Sequence, residues 1–201
     1  MIQACTLFVM LFLLQGNHAR AQELDLSSVL ALDKPISGNF RQVRSVSGIE
    51  RDFVTEGSFT VIGQQALIWT VKSPAPMRIA FTEDSVEYLD GDDHINKGIS
   101  RYVSRLVRDI MTLRILSNEE FDSAITGNVS AWELELKPRR KAVKRHLRRV
   151  VIKGDKFIRN LNVVSGNGDQ TEISFTDIVY REDLPEGLCQ AIDIQSEYCS
   201  G

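Results

Sequence analysis

Histidine, serine and cysteine would carry nucleophilic catalysis, and in this sequence they are not spaced for it. His94 stands in an acidic turn and His146 in a basic segment, with no matched nucleophile close to either in the sequence. The chain has neither a G-x-S-x-G elbow nor a glycine-rich phosphate loop. We therefore expect a protein that is not an enzyme, with an esterase of unrecognised triad as the enzymatic alternative.

The densest charge lies between residues 139 and 149, where seven arginine and lysine side chains fall within eleven positions. Apolar and basic residues mix from Val143 to Val151, which predicts a strand with charge on both faces. One interpretation is a solvated edge whose charges prevent aggregation. The other is a docking surface for an acidic partner or for anionic lipid head groups. The residues assigned to that surface are Arg139, Arg140, Arg145 and Arg149.

The N-terminal segment differs from the rest of the chain. No residue from Ala4 to Leu14 is charged, and the small-x-small triplet Ala19-Arg20-Ala21 follows. This pattern is typical of a cleaved signal peptide, because an apolar segment must reach about 20 residues to span a bilayer. We expect a signal peptide at residues 1–21, a single exported domain at residues 22–201 and a periplasmic location. An uncleaved N-terminal anchor is the alternative.

Export decides how the cysteines are interpreted. Cleavage removes Cys5 and leaves Cys189 and Cys199, ten positions apart, in an oxidising compartment where pairing is expected. We predict a disulfide between them, with two free thiols as the alternative. A structural zinc ion would need four soft ligands, and two cysteines and two distant histidines do not supply them. We expect no metal and no cofactor.

The composition is that of a soluble globular domain: 201 residues, 43% hydrophobic and 25% charged, with a formal net charge of −3. Disordered chains are less hydrophobic and more highly charged, and multi-pass membrane proteins need repeated apolar runs of about 18 residues or more. Nucleic acid is not an expected partner, because the chain is acidic overall and is predicted to be exported.

Most of the chain alternates between apolar and polar residues, which predicts strands. In three successive strands the apolar members fall on one face, so one side of the sheet is apolar. The first predicted strands are Gly38–Val46, Phe53–Ile62, Ala66–Lys72, Met77–Thr82 and Ser85–Asp90. Later alternation centres on Trp132, Leu147, Phe157 and Ile173, and we predict nine or ten strands in all.

Three segments are predicted to be helical. Ser100–Leu116 places apolar residues at helical spacing with arginines between them, which indicates an amphipathic helix. Leu24–Leu32 and Asn118–Ala124 are shorter candidates. An apolar sheet face must be covered, and the helices are its natural cover. Periodicity alone leaves two outcomes open: a filled core, or a cavity beneath a loose helical lid.

Seven motifs occur in order along the chain: GNFRQ at 38–42, EGSF at 56–59, LIW at 67–69, KSP at 72–74, WELELKP at 132–138, VVIKG at 150–154 and GDQTEISF at 168–175. In this order and spacing they resemble the LolA-like family of bacterial outer-membrane lipoprotein carriers, over roughly residues 24 to 180. The family has an arginine directly before the proline of the third strand, where this chain has Ser73 before Pro74. This difference favours a divergent member.

The resemblance implies a mainly β (α+β) fold, an incomplete antiparallel β-barrel or strongly curved sheet with a helical lid over an apolar cavity. It implies a periplasmic carrier that binds acyl chains of lipoproteins or a related lipid and shuttles them toward the outer membrane without catalysis. The residues assigned to the cavity are Phe40, Phe59, Leu67, Trp69, Ile79 and Phe81 on the sheet, and Leu106, Ile110 and Leu113 on the lid.

The partners implied by such a carrier are a lipidated protein or other acyl-chain ligand, an inner-membrane transporter and an outer-membrane acceptor. We expect a monomer. The alternative is a periplasmic interaction module for an exporter or an envelope-assembly system, whose cavity is filled by its own side chains. Each assigned cavity residue is, on that alternative, an ordinary core residue.

Overall fold

Ten strands form one antiparallel sheet in the computed structural model, which describes residues 26, 32–82, 85–89, 101–112, 114–184, 188–192 and 198. Their order in the sheet is β5-β4-β3-β2-β1-β10-β9-β8-β7-β6. The strands are β1 (Ile36–Ser45), β2 (Phe53–Ile62), β3 (Ala66–Ser73), β4 (Met77–Phe81), β5 (Val86–Tyr88), β6 (Phe121–Asn128), β7 (Ala131–Pro138), β8 (Leu147–Gly154), β9 (Ile158–Ser165) and β10 (Gln170–Tyr180).

The sheet joins two meanders through its first and last strands. β1 pairs with β2 on one side and with β10 on the other, so the strands that follow β1 and the strands that precede β10 extend in opposite directions. β5 and β6 form the two edges. The sheet is therefore open, and the predicted mainly antiparallel β fold with few helices is confirmed.

One face of the sheet is apolar on both sides of β1, and we call it the inner face. A cross-strand row on this face runs through five consecutive strands and ends at Gln42 on β1. Its members in order are Ile125, Leu134, Ile152, Leu161 and Ile173. Residues paired across strands point to the same side of a sheet, so each strand contributes to one continuous apolar surface.

The opposite, outer face has a smaller apolar cluster over β2, β3 and β4. Ile62, Ile68 and Ala80 are buried there together with Leu188 and Ile192 from the C-terminal segment. The C-terminal segment therefore covers the outer side of the first meander. Over the second meander the outer face is polar, with pairs such as Glu133 with Lys153 and Asn162 with Glu172.

Three α-helices and one 3₁₀ turn lie wholly within the described ranges and accompany the sheet. They are α1 (Arg101–Met111), the 3₁₀ turn (Arg114–Ser117), α2 (Lys141–Lys144) and α3 (Leu188–Ala191). The amphipathic helix predicted from residue 100 onward is thus present. Of the predicted opening helix, Leu26 is helical and buried, and most of the rest lies outside the described residues, as does the predicted signal peptide.

The short helix predicted at Asn118–Ala124 is wrong. The 3₁₀ turn precedes it, a turn closed by the Phe121 amide donating to the Asn118 carbonyl follows, and β6 then begins. Phe121 is buried and pairs with Pro138 on β7. Pairing of β6 with β7 satisfies backbone groups from Phe121 onward, which outweighs the weak helical preference of a few residues.

The continuous strand predicted from Val143 to Val151 is also wrong in its first part. Pro138 ends β7, and α2 makes a single helical turn in which the Lys144 amide donates to the Arg140 carbonyl. Only from Leu147 onward is the chain extended, as β8. Because β7 and β8 are antiparallel neighbours, the chain must reverse between them, and a continuous strand would not allow this.

Candidate ligand site on the inner face

Four aromatic rings meet at the centre of the inner face. Phe40 stacks on Trp69 with ring centroids 3.8 Å apart, and Phe59 lies 6.5 Å from Trp69. Phe175 meets the edges of both, at 5.2 Å from Phe59 and 6.2 Å from Trp69. The rings come from β1, β2, β3 and β10, so pairing of the first strand with the last assembles this cluster.

Strand register explains why these residues converge. Phe59 lies opposite Trp69, and Trp69 lies opposite Ile79, so the three form one row across β2, β3 and β4. Leu67 lies opposite Phe81 in the next row. The structure therefore brings all six sheet residues assigned to the cavity onto one face. All are buried except Trp69, which is half-buried and packs against the others.

Helix α1 packs against β3 and β4 and supplies two of the residues assigned to the lid. Ile110 is buried in the same apolar cluster as the sheet residues, and Leu106 is half-buried against it. Leu113, the third residue assigned to the lid, lies outside the described residues. Leu106 and Ile110 are four positions apart, which places them on one face of the helix.

The same helix carries a buried arginine. Arg108 is only 2% exposed, and its neighbour Asp109 is 8% exposed. Nη2 of Arg108 donates to Oδ1 of Asp109 at 3.3 Å, whereas its Nε and Nη1 atoms have no hydrogen-bond partner among the described residues. From the sequence, Arg108 reads as one of the arginines between the apolar positions of an amphipathic helix. The helical period shows which residues share a face, but it does not show what covers that face.

The second meander also contributes to the inner face. Residues of β7, β8 and β10 that were not assigned to the cavity are fully buried in the same cluster; they are Trp132, Leu134, Leu136, Val150, Ile152 and Phe175. The signal for them is the alternation Trp132, Leu134, Leu136 and Ile173, Phe175 in the sequence. Their position opposite β1 follows from long-range pairing, which alternation does not encode.

Three arginines of the basic segment form ion pairs. Arg139 Nε is 2.6 Å from Asp122 Oδ1, Arg140 Nη1 is 3.1 Å from Glu120 Oε1, and Arg149 Nη1 is 3.5 Å from Glu135 Oε1. The pairs of Arg139 and Arg140 connect the turn after β7 to β6 and to the residue before it. The pair of Arg149 connects β8 to β7. Arg145 is exposed and follows α2, and within the described ranges its side chain forms no ion pair.

The outer face of the second meander contains a polar groove of about 590 Å³. Its floor consists of charged and amide side chains around Val151, and the lining includes Glu133, Lys153, Asn160 and Glu172. The two faces of the same strands thus differ sharply in polarity. An apolar ligand is matched by the inner face and not by this groove.

Other features of the described chain bear on the expectations above. Cys189 is disulfide-bonded. Its predicted partner, Cys199, lies outside the described residues, so the pairing stays a prediction. Within the described ranges, no three His, Cys, Asp or Glu side chains come together as ligands for a metal ion. No helix in this part of the chain is long and apolar enough to cross a membrane.

Comparison with known proteins gives similarities of fold. No protein-family model matches the sequence, and no curated protein matches it. Among solved structures, a LolA superfamily protein from Nitrosomonas europaea is similar, with 8% identity and a TM-score of 0.47, over 79% of this chain and 91% of that one. The structural neighbours thus include the superfamily that the sequence resembles.

A second similar structure is the Pseudomonas aeruginosa MucA/MucB complex. The match has 14% identity and a TM-score of 0.44, and it covers 87% of this chain and 61% of that chain. A third is a DUF1329 family protein from Desulfovibrio piger, with 12% identity and a TM-score of 0.30, over 81% of this chain and 92% of that one. These values describe the fold alone, and we base no functional argument on them.

Proposed function

We propose that this protein is a periplasmic carrier that binds the acyl chains of lipoproteins or of a related lipid between its inner face and α1, and shuttles them toward the outer membrane without catalysis. The observation that carries the proposal is the continuous apolar surface across the sheet, with the half-buried Trp69 at its centre. The surface matches the chemistry of acyl chains, and Trp69 keeps part of its ring accessible there.

The energetics of a carrier fit such a surface. Removing an acyl chain from water gains about 0.8 kcal/mol for each buried CH₂ group, so a long chain needs an apolar partner surface to travel through water. Release to an acceptor requires contacts that are numerous but individually weak. Aromatic and aliphatic side chains such as Phe59, Leu67 and Ile79 make contacts of this kind.

Binding requires α1 to move relative to the sheet. Leu67 is fully buried and Phe81 nearly so, and both lie on the strands that α1 packs against. An acyl chain that enters here replaces contacts between the helix and β3 and β4 with contacts to the ligand. The cost of separating them is offset by the apolar area that the ligand buries, so opening is coupled to ligand binding.

The proposed location and partners follow from the same function. A signal peptide at residues 1–21 would deliver the chain to the periplasm, and an inner-membrane transporter and an outer-membrane acceptor would load and unload it. Arg139, Arg140, Arg145 and Arg149 are proposed to contact an acidic partner or anionic head groups. Three of them already form ion pairs. Arg145 therefore offers the charge that a partner would neutralise most readily.

A second function, an interaction module that carries no lipid, is favoured by one observation. The inner face is closely packed: the Phe40 and Trp69 rings stack at 3.8 Å, and Leu67, Leu134 and Ile152 are fully buried. If these contacts are permanent, the face is an ordinary core and the partner binds elsewhere. The two functions differ in whether the purified protein binds an acyl chain.

Fluorescence separates them. The chain has two tryptophans, and a bound acyl probe that absorbs tryptophan emission, such as cis-parinaric acid, quenches whichever ring lies close to it. We expect saturable quenching in the mature protein, retained in Trp132→Phe and strongly reduced in Trp69→Leu. Absence of quenching and of probe binding in a folded sample would favour the interaction module.

A further inference from the structure

Arg108 presents unused hydrogen-bond donors inside the protein. Its side chain is among the largest that are fully buried, and within the described part of the chain it makes one hydrogen bond, from Nη2 to Asp109. The Nε atom carries one N–H group and Nη1 carries two. Neither atom has a partner in the ranges that the structure describes.

A buried guanidinium with free donors is an unusual arrangement. Arginine stays protonated at all physiological pH values, so burial does not remove its charge. Buried polar groups are nearly always hydrogen-bonded, because leaving them unpaired forfeits the bonds that they make with water. Asp109 compensates part of the charge, but its single contact leaves the Nε and Nη1 donors unsatisfied. An acceptor that carries negative charge would complete the arrangement.

The position of Arg108 relates it to the candidate acyl site. Arg108 and Met111 are three positions apart, so they lie on the same side of α1, around the helix from Leu106 and Ile110. Met111 is buried in the apolar cluster of the inner face, and α1 packs on β3 and β4. A cationic donor group thus stands on the helix that covers an apolar sheet. An amphipathic ligand has the same division between a charged head and an apolar chain.

We propose that Arg108 binds the anionic head group of the acyl ligand, a carboxylate or a phosphate whose oxygens accept from Nε and Nη1. This inference rests on the proposed carrier function and adds the chemistry of the ligand's head. The inner face holds the chain through apolar contacts that do not depend on the head group. Arg108 fixes the head, and it selects acyl anions over neutral lipids of equal chain length.

The test compares ligands that share a ten-carbon chain and differ in the head group: decanoate, decyl phosphate and decanol, with inorganic phosphate as the head without a chain. Titration calorimetry at neutral pH gives the affinity of each for the mature protein. A hydrogen-bonded ionic contact predicts that the better acyl anion binds about 10- to 100-fold more tightly than decanol. We expect no measurable binding of inorganic phosphate alone.

Variants assign the selectivity to the residue. Arg108→Met keeps the length of the side chain and removes its donors, and we expect decanoate and decyl phosphate to bind no more tightly than decanol. Arg105→Met, on the same helix but at an exposed position, is the matched control and is expected to retain the full preference. Unchanged selectivity in a folded Arg108→Met protein would overturn the proposal.

The remaining outcomes are also decisive. If anions and decanol bind the wild-type protein equally well, the carrier function stands and the role of Arg108 in head-group recognition is wrong. If none of the acyl compounds binds, the carrier function itself fails. If inorganic phosphate binds as tightly as decyl phosphate, the ligand of Arg108 is a free anion and not the head group of a lipid. The wild-type comparison decides the question even if Arg108→Met does not fold.

Discussion

The ring of Phe40 lies against Gly57, the residue directly opposite it on β2. A Cβ atom added at Gly57 would stand 2.8 Å from Cε1 of Phe40 and would also collide with the carbonyl oxygen of Thr70. The missing side chain gives Phe40 room to stack on Trp69. The aromatic cluster of the inner face therefore depends on a glycine that takes no part in it.

Substitution of this glycine is expected to disturb both stability and binding. Gly57→Ala forces the Phe40 ring or the β3 backbone to move, and overpacking of this kind costs about 1–3 kcal/mol of unfolding free energy. Urea denaturation measures the loss. Ser58→Ala, one position along the same strand, is the control and should change the unfolding free energy by no more than about 0.5 kcal/mol. Equal stability of the two variants would contradict the packing described here.

Phe175 is expected to contribute to stability and to acyl-chain binding as much as the cavity residues assigned from the sequence. Its ring meets Phe59 and Trp69 edge-on, and such aromatic pairs contribute about 0.5–1.5 kcal/mol beyond the area that they bury. Phe175→Leu keeps an apolar side chain and removes both interactions, so it should lower the unfolding free energy and weaken binding of the acyl probe. Val179→Ala, at an exposed position of β10, should do neither.

Asp169 makes the free energy of unfolding depend on pH. Hydrogen bonds from the Ser47 amide, with the Asn167 side chain and from Arg44 lower the pKa of its carboxyl group below the ordinary value. Because the folded pKa is the lower one, the stabilisation is complete above the unfolded pKa, about 3.9, and is lost as pH falls through the folded pKa.

Denaturation between pH 7 and pH 3 tests this dependence. Wild type should exceed Asp169→Asn in unfolding free energy at neutral pH, and the difference should shrink as the pH falls below about 4. The exposed Asp183→Asn serves as the control, and its curve should follow that of the wild type. A difference between wild type and Asp169→Asn that does not change with pH would show that the carboxylate's charge is not what stabilises the turn.

Arg145 tests the proposed docking surface. Its side chain is exposed and, in the described part of the chain, forms no ion pair, so reversing its charge should leave the fold intact. Arg145→Glu is expected to reduce cosedimentation with vesicles that contain phosphatidylglycerol, by an amount that diminishes in high salt. Unchanged sedimentation would mean that the basic segment is only a solvated strand edge and turn.

Alternation predicted the first meander well because its inner face is apolar from strand to strand, whereas its outer face is apolar mainly where the C-terminal segment covers it. The strand Phe53–Ile62 has the predicted bounds, and β1 and β3 differ from theirs by one or two residues. The predicted secondary structure was wrong where strand pairing in the folded chain outweighed the local preference of the residues for a helix or a strand. At Asn118–Ala124 the partner of Phe121 is Pro138, and at Val143–Leu147 the chain reverses between paired strands.

The candidate site was predicted in part for the same reason. Phe40, Phe59 and Trp69 share a face by their period, so their meeting followed from alternation once the strands paired in order. Phe175 shows the same alternation, but its contact with Phe59 requires β10 to pair with β1. That pairing places Phe175 opposite Phe40, which is 135 residues away along the chain. The burial of Arg108 depends on what surrounds α1, and the sequence of the helix does not contain that information.

Photo-cross-linking tests the central claim, that acyl chains bind on the inner face. A palmitic acid analogue with a diazirine near its methyl end is bound to the mature protein and irradiated, and the modified residues are mapped by mass spectrometry. We predict labels on β1, β2, β3 and β10 at inner-face positions around Trp69, and on α1, with competition by unlabelled palmitate. Labels confined to the outer face, or to exposed apolar residues such as Ile49 and Phe53, would contradict the account.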